Sequence, residues 1–283
     1  MNFKVGNRYK LYKLLNKGSF YKIYSGYDII SNEEVSVKIG CKNSIHKLEK
    51  EKELYDVMRG GNGIPKLISY YLYNDYKLLV LELLGPSLDD FYEFCNKNFS
   101  FQTILILGIQ MIEIIEYFHN KGYIHRNIKP SNFLIGLGKS SKKIYLTEFG
   151  LSKSFIDSNN GKHISLDMKH SIIGTLRFCS INNHLGFTLS RRDDLEQIGY
   201  CLSYFKLGFL PWQDLSSSDL NDKNGKILAM KSAQVLNKCN PLPELLEFLE
   251  YSRNLRFEEQ PNYKNCKLKF QKLLEYLNLS KLR

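Results

Sequence analysis

The sequence predicts an α+β protein of two lobes, a five-stranded antiparallel sheet with one helix followed by a mainly α-helical half. Three observations lead there. Apolar and polar residues alternate as in strands over residues 8–41 and 67–83. A Lys- and Glu-rich segment of helical spacing interrupts them at 45–58. Beyond Gly85-Pro86 the apolar runs take a helical period. At 283 residues the chain exceeds the usual single-core size. One large domain of two lobes, or two small domains, is therefore expected; the single-domain reading spans 1–283, with lobes at about 5–84 and about 85–277.

In order along the chain, Tyr9, Leu11, Tyr24 and Val35-Ser36-Val37 mark three strands, punctuated by Asn16, Gly18, Gly26 and Asn32. Leu48, Leu54, Tyr55 and Met58 put a helix over Ile45 to Met58, closed by Gly60-Gly61. Leu67 to Tyr73 and Lys77 to Leu83 read as a hairpin around Asn74-Asp75. The second half gives helices over Phe101 to Lys121, Arg191 to Leu207, Leu242 to Asn254 and Tyr263 to Leu277. Phe133 to Ile135 and Lys143 to Leu146 are short strands, and the polar stretch that follows reads as surface loop. Ser216-Ser217-Ser218 is a short loop.

A net charge of +11 suits an acidic partner such as a phosphoprotein, a membrane surface or a nucleic acid. The lysines are dispersed, however, which fits an ordinary solvated surface and speaks against direct nucleic-acid binding. Cys41, Cys95, Cys179, Cys201, Cys239 and Cys266 stand far apart, with no C-x-x-C pair and no leader at the start, so reduced thiols and a cytoplasmic location are expected. The most apolar run, Ile104 to Ile115, is too short for a membrane span and reads as a buried helix.

The chemistry-bearing residues fall in a characteristic order. Leu15-Asn16-Lys17-Gly18-Ser19-Phe20-Tyr21-Lys22-Ile23-Tyr24 lies between two strands where a phosphate-covering hairpin needs glycines for close backbone approach. Only Gly18 serves that need, and Tyr21 brings bulk, so phosphate coverage should be loosened. The same segment alone also suits an ordinary β-hairpin. Lys38 on the third strand and Glu51 on the following helix can pair to aim an ammonium at phosphates. His125-Arg126-Asn127-Ile128-Lys129-Pro130-Ser131-Asn132 is followed by Glu148-Phe149-Gly150. In phosphoryl transfer by this arrangement, a carboxylate at the position of Asn127 takes the proton of the attacking hydroxyl. An Asn and a second carboxylate, here Asn132 and Glu148, hold metal. An amide at 127 takes no proton, so the general-base contribution of about 10²- to 10⁴-fold is lost. Glu148 keeps its charge but is a methylene longer, and a misplacement of about 1 Å can cost about 100-fold.

These motifs resemble protein kinases. Gly60-Gly61-Asn62-Gly63-Ile64-Pro65, Leu81-Glu82-Leu83-Leu84-Gly85-Pro86-Ser87-Leu88, Ser180-Ile181-Asn182, Ser190-Arg191-Arg192-Asp193-Asp194-Leu195-Glu196 and Leu210-Pro211-Trp212-Gln213 resemble the casein kinase 1 family of serine/threonine kinases in particular. The resemblance covers residues 5 to about 275 and implies the bilobal protein kinase fold, with ATP and Mg2+ as cofactors. It implies that Leu81 is the gatekeeper and that the backbone of Glu82 to Leu84 receives adenine. Leu15, Gly18, Ile23, Ser36, Lys38, Leu84, Asn132 and Leu134 would line the nucleotide site. It further implies an internal stack of Tyr55, His125 and Phe149 anchored by Asp194, a catalytic role for Lys129, and an anion pocket at Arg177, Lys223 and Lys153 for acidic or phosphorylated protein. Asp214 and His170 depart from the family beside that pocket, and Asp219-Leu220-Asn221-Asp222-Lys223 replaces its basic nuclear-targeting stretch.

Three functions follow as expectations. The first is a pseudokinase with weak or no nucleotide binding that acts through protein contacts. The second is a slow serine/threonine kinase, since Lys38, Glu51, Lys129 and Asn132 are kept. The third is a phosphopeptide reader built on Arg177, Lys223 and Lys153. Partner identity and oligomeric state are not encoded legibly.

Overall fold

The computed structural model describes residues 3–5, 7–18, 21–40, 45–73, 76–168, 170–215, 219–239 and 242–280. The hairpin turn at Asn74-Asp75, the loop Ser216 to Ser218, Cys41, and Ser19 and Phe20 of the loop lie outside them. The chain forms two compact units, one of residues 1–86 with 134–150, the other of 87–133 with 151–283.

The first unit holds a six-stranded sheet in the order β1-β2-β3-β4-β6-β5. Its strands are β1 (Phe3–Val5), β2 (Tyr9–Lys17), β3 (Tyr21–Asp28), β4 (Glu33–Gly40), β5 (Leu67–Tyr73) and β6 (Tyr76–Glu82), all paired antiparallel. Five strands were expected. The sixth is the three-residue β1, too short to show a period, which folds back so that Phe3 faces Leu11 and Val5 faces Tyr9. One face of the sheet buries Val5, Tyr9, Leu11, Val35, Val37, Leu78 and Val80 as a single cluster. The period-2 pattern of β4 is thereby explained: Val35 and Val37 point into the core, and Lys38 follows on the opposite face. Helix α1 (Ile45–Val57) packs beside β5 and β6.

The second unit is mainly helical. Its elements are α2 (Leu88–Phe94), α3 (Phe101–Asn120), β7 (Tyr123–Ile124), β10 (Lys153–Ser154), α4 (Ile181–His184), α5 (Arg191–Leu207), α6 (Leu220–Ser232), α7 (Val235–Lys238), α8 (Pro243–Asn254) and α9 (Tyr263–Ser280); β8 (Phe133–Ile135) and β9 (Ile144–Leu146), which pair with each other, belong to the first unit apart from Phe133. The starts are written in the sequence: Ser87 caps α2 in a capping box closed by Asp90, Ser100 caps α3, and at the start of α5 the Asp193 carboxylate accepts from the Ser190 N–H. The core is built from Met111, Ile112, Ile115, Phe118, Leu195, Ile198, Leu202, Phe205, Leu249 and Phe270. At Gly199 a Cβ would lie 2.4 Å from a Leu249 methyl, so only glycine lets α8 sit this close to α5. By length and composition alone α3 could cross a membrane, because its twenty residues extend well past the run Ile104 to Ile115. Half of its apolar window is buried, and it packs against α5 and α9 as a core helix does.

Candidate functional site

In the first unit the site grows from β4. Lys38 faces Ile23 on β3 and Leu79 on β6, which fixes its stem in the middle of the sheet. Its Nζ donates to Glu51 Oε1 at 3.0 Å and Oε2 at 2.8 Å, and to Glu148 Oε2 at 3.1 Å. Lys38 and Glu51 are almost wholly buried, at 4% and 3% exposure. Burial disfavours the ammonium, but the charges of Glu51 and Glu148 outweigh it and hold the Lys38 pKa above the ordinary lysine value. Burial, and then the nearby Glu148, push Glu51 up, while Lys38 pulls it down. A buried ammonium of this kind persists only because carboxylates surround it.

Two details around Lys38 were not foreseen. The ring of Tyr21 lies under the ammonium, with Nζ 3.9 Å from its centroid. The Tyr21 hydroxyl lies near Glu148, and burial, followed by the Glu148 charge, raises the phenol pKa. Glu148 itself has φ +67°, a left-handed backbone that Asp and Asn tolerate better than Glu. Next to it, Phe149 packs on Tyr55 with ring centroids 4.4 Å apart, both fully buried.

The residues assigned to an adenine slot share this unit. Ser36 lies opposite Leu81 across β4 and β6, and its hydroxyl donates to the Glu82 carbonyl at 3.3 Å. Glu82 N–H donates to the Lys66 carbonyl at 3.0 Å, and Lys66 N–H returns a bond to Glu82 Oε1 at 2.7 Å. Beyond Leu84, Gly85 N–H donates to the Ile135 carbonyl at 2.7 Å, tying the strand exit to the segment that carries Leu134. Leu15 on β2 is 47% exposed.

In the second unit a loop between β7 and β8 carries residues 125–132. Its frame is Asp194 of α5, whose carboxylate accepts from the N–H of His125 at 2.7 Å and of Arg126 at 2.8 Å, and bonds His119 Nε2 at 2.9 Å. His119 Nδ1 in turn meets the Tyr263 hydroxyl at 2.7 Å. Arg126 takes φ +68°, and this left-handed turn is what the two bonds to Asp194 hold in place. Ile128 N–H donates to Gln197 Oε1 at 2.7 Å. Asn132 Nδ2 donates to the Asn127 carbonyl at 2.8 Å, closing the loop on itself. The side chain of Asn127 meets Thr175, whose hydroxyl donates to Oδ1 at 3.3 Å. Sequence reasoning missed Thr175, which has no motif of its own. His125 is fully buried and lies edge-on to Phe118 at 5.8 Å.

The basic residues have separate surroundings, and no contact joins them among the described residues. Arg177 lies over the rings of Phe178 and Tyr204, at 5.3 and 5.6 Å. Burial raises the Asp89 pKa, and the charges of Arg177 and Lys129 oppose that rise. Lys223 is half-buried in the first turn of α6, and Lys153 is exposed on β10. His170 bonds Thr188, and Asp214 meets Gln213.

Among the described residues no group of three or more His, Cys, Asp or Glu side chains is placed to hold a metal ion. Of the two expected magnesium ligands, Glu148 Oε2 accepts from Lys38, and Asn132 bonds the Asn127 carbonyl through Nδ2, which is not the atom that binds a metal. A hard dication takes oxygen ligands, and the Glu148 carboxylate and the Asn132 amide oxygen are each of the donor type that magnesium takes. A family model described as the protein kinase domain matches residues 9–265.

Proposed function

The chain belongs to the protein kinase family, and we propose that within it this is a casein kinase 1-like pseudokinase that acts by binding protein. Kinase domains of this family act on protein substrates with ATP and Mg2+, and the α+β architecture here, an antiparallel sheet followed by a mainly helical part, is the family's. The observation that carries the reading is Asn127 at the base position. Its amide oxygen receives the Thr175 hydroxyl and has no affinity for a proton near neutral pH. A further feature supports it: Glu148, in place of a shorter carboxylate, is bound to Lys38.

A slow serine/threonine kinase is the second reading, favoured by the Lys38 to Glu51 ion pair and by the retention of Lys129 and Asn132. Positioning and charge neutralisation supply much of the rate in a loose transition state, so loss of the base slows transfer without abolishing it. The partner proposed is an acidic or phosphorylated protein met at Arg177, with Lys223 and Lys153 adding charge. The location proposed is cytoplasmic, in keeping with free thiols at Cys95, Cys179, Cys201, Cys239 and Cys266.

The test is phosphate transfer from ATP to casein or an acidic peptide by the purified wild-type chain, with magnesium and with manganese. Turnover at least about 100-fold below the usual 1 to 100 s⁻¹ is expected. Turnover within that range, lost on Lys38→Met substitution, would show an ordinary kinase.

A further inference from the structure

Lys38 has no unused donor. An ammonium carries three N–H bonds, and the Lys38 group makes three, two to Glu51 and one to Glu148, while the Tyr21 ring covers it from a fourth side. The ring reaches that place because the loop folds over it. Gly18 N–H donates to the Tyr21 carbonyl at 3.0 Å, and a Cβ on Gly18 would lie 2.7 to 2.8 Å from the ring carbons. So the glycine expected to let backbone approach phosphate makes room for the tyrosine instead. The hydroxyl end of the ring lies near the charge of Glu148, and burial keeps the phenol protonated. Sequence reasoning expected Tyr21 to loosen the loop; its ring is clamped between Gly18 and Lys38.

We propose that Tyr21 is a specificity-determining residue that fills the phosphate subsite of the first unit, so that this site accepts an uncharged nucleoside in preference to a nucleoside triphosphate. The proposal rests on reading Lys38 as the phosphate-facing lysine of a kinase nucleotide site, and not on the state of Asn127. A triphosphate on Lys38 must lift the ring off the ammonium and compete with Glu51 and Glu148, whose charges repel it. A nucleoside has no group that asks for Lys38. Magnesium at Glu148 has to displace Lys38 from the same carboxylate, so it does not free the subsite of the Tyr21 ring.

The experiment measures adenosine, ADP and ATP binding to the full chain by calorimetry, with and without magnesium, for wild type, Tyr21→Gly, Tyr21→Phe and Gly18→Ala. Wild type should bind adenosine at least as tightly as ATP. Y21G should raise the ratio of ATP to adenosine affinity about tenfold or more, the scale of one desolvated cation–π contact. G18A should move the ratio the same way by expelling the ring, and so serves if Y21G fails to fold. Y21F keeps the ring and should stay near wild type. The proposal is overturned by wild type binding ATP more than tenfold tighter than adenosine, by no change of the ratio in Y21G and G18A, or by no binding of any of the three ligands to any variant. The pseudokinase reading fails separately, in wild-type phosphate transfer.

Discussion

Thr175 donates its hydroxyl to Asn127 Oδ1 at 3.3 Å, so the side chain at the base position is held by a group that would serve a carboxylate equally well. Asn127→Asp keeps the shape and strengthens that bond, since an ionised acceptor binds a hydroxyl more tightly. The variant should fold as wild type does, with Tm within about 2 °C in a melting experiment. Alone it should stay silent in phosphate transfer, because Lys38 is still covered by Tyr21. Measurable turnover should first appear when Asn127→Asp is combined with Glu148→Asp and Tyr21→Gly. Activity of N127D alone near 1 s⁻¹ would show that ATP reaches Lys38 without displacement of the ring.

Asp194 carries the catalytic-loop geometry. Burial disfavours its charge, but the bond to His119, together with the His125 N–H, outweighs burial and holds its pKa below the ordinary carboxylate value. Asp194→Ala would orphan two backbone N–H groups and a buried imidazole. That should cost about 3 to 5 kcal/mol in urea unfolding. Asp194→Asn, which keeps one acceptor, should cost distinctly less. An alanine variant within about 1 kcal/mol of wild type would mean that solvent or a rearranged loop satisfies those donors.

Regular elements were legible wherever periodicity and caps agreed. The spacing of Leu48, Leu54 and Met58 gave α1, and the helical period over Arg191 to Leu207 gave α5. The motif residues were also legible as a set, because they hold one another: Ser180 and Asn182 both bond Asp193, at 2.7 and 3.0 Å. What escaped was short or tertiary. β1, β7, β10 and α4 have too few residues to show a period. The stretch after Leu146 read as loop, yet it buries Phe155, Phe178 and Cys179 through contacts distant in sequence. Tyr21 was recognised as misplaced bulk, but its seat on Lys38 depends on Gly18 and Glu148 together, and no single motif encodes that.

The first unit should lose stability in acid through one pair. Arg8 donates to both oxygens of Asp28, with Nη2 to Oδ2 at 2.6 Å, and Ile30 N–H adds a bond at 3.0 Å. The Arg8 bond, against the opposing effect of burial, holds Asp28 down at about 2. A carboxyl whose folded pKa lies below its unfolded value of about 3.9 contributes fully above that pH and loses its contribution as pH falls towards 2. Arg8 is 39% exposed, so screening reduces the effect to about 1 kcal/mol. Arg8→Met should remove this loss between pH 4 and 2, read as a flatter stability profile in urea unfolding.

Lys231 gives a slope of the same sign near neutrality. It is 1% exposed, and its Nζ donates to the carbonyls of Leu176 at 3.2 Å and Cys179 at 2.6 Å and meets His184 Nε2 at 3.0 Å. The rings of Tyr200 and Trp212 face it at 4.7 and 5.1 Å. Among the described residues no carboxylate bonds it; the charges of Glu196 and Arg253 act on it from farther away with opposite sign, and burial pushes its pKa down to about 7. His184, pushed down to about 4 by burial and by Lys231, stays neutral at pH 7 and accepts the lysine's bond. Above pH 7 the folded lysine releases its proton while the unfolded one, with a pKa near 10.4, keeps it. The unfolded state then binds more protons, so stability rises with pH, by at most about 1.4 kcal/mol per unit. The window closes near pH 8.5, where thiols ionise in the unfolded chain but Cys179, raised by burial to about 11, does not. Urea unfolding at pH 6.5, 7.5 and 8.5 should therefore show a gain of about 1 to 2 kcal/mol for wild type. Lys231→Met, similar in volume and without a charge, should show no such gain, and equal slopes for the two proteins would mean that Lys231 is protonated in the folded state throughout.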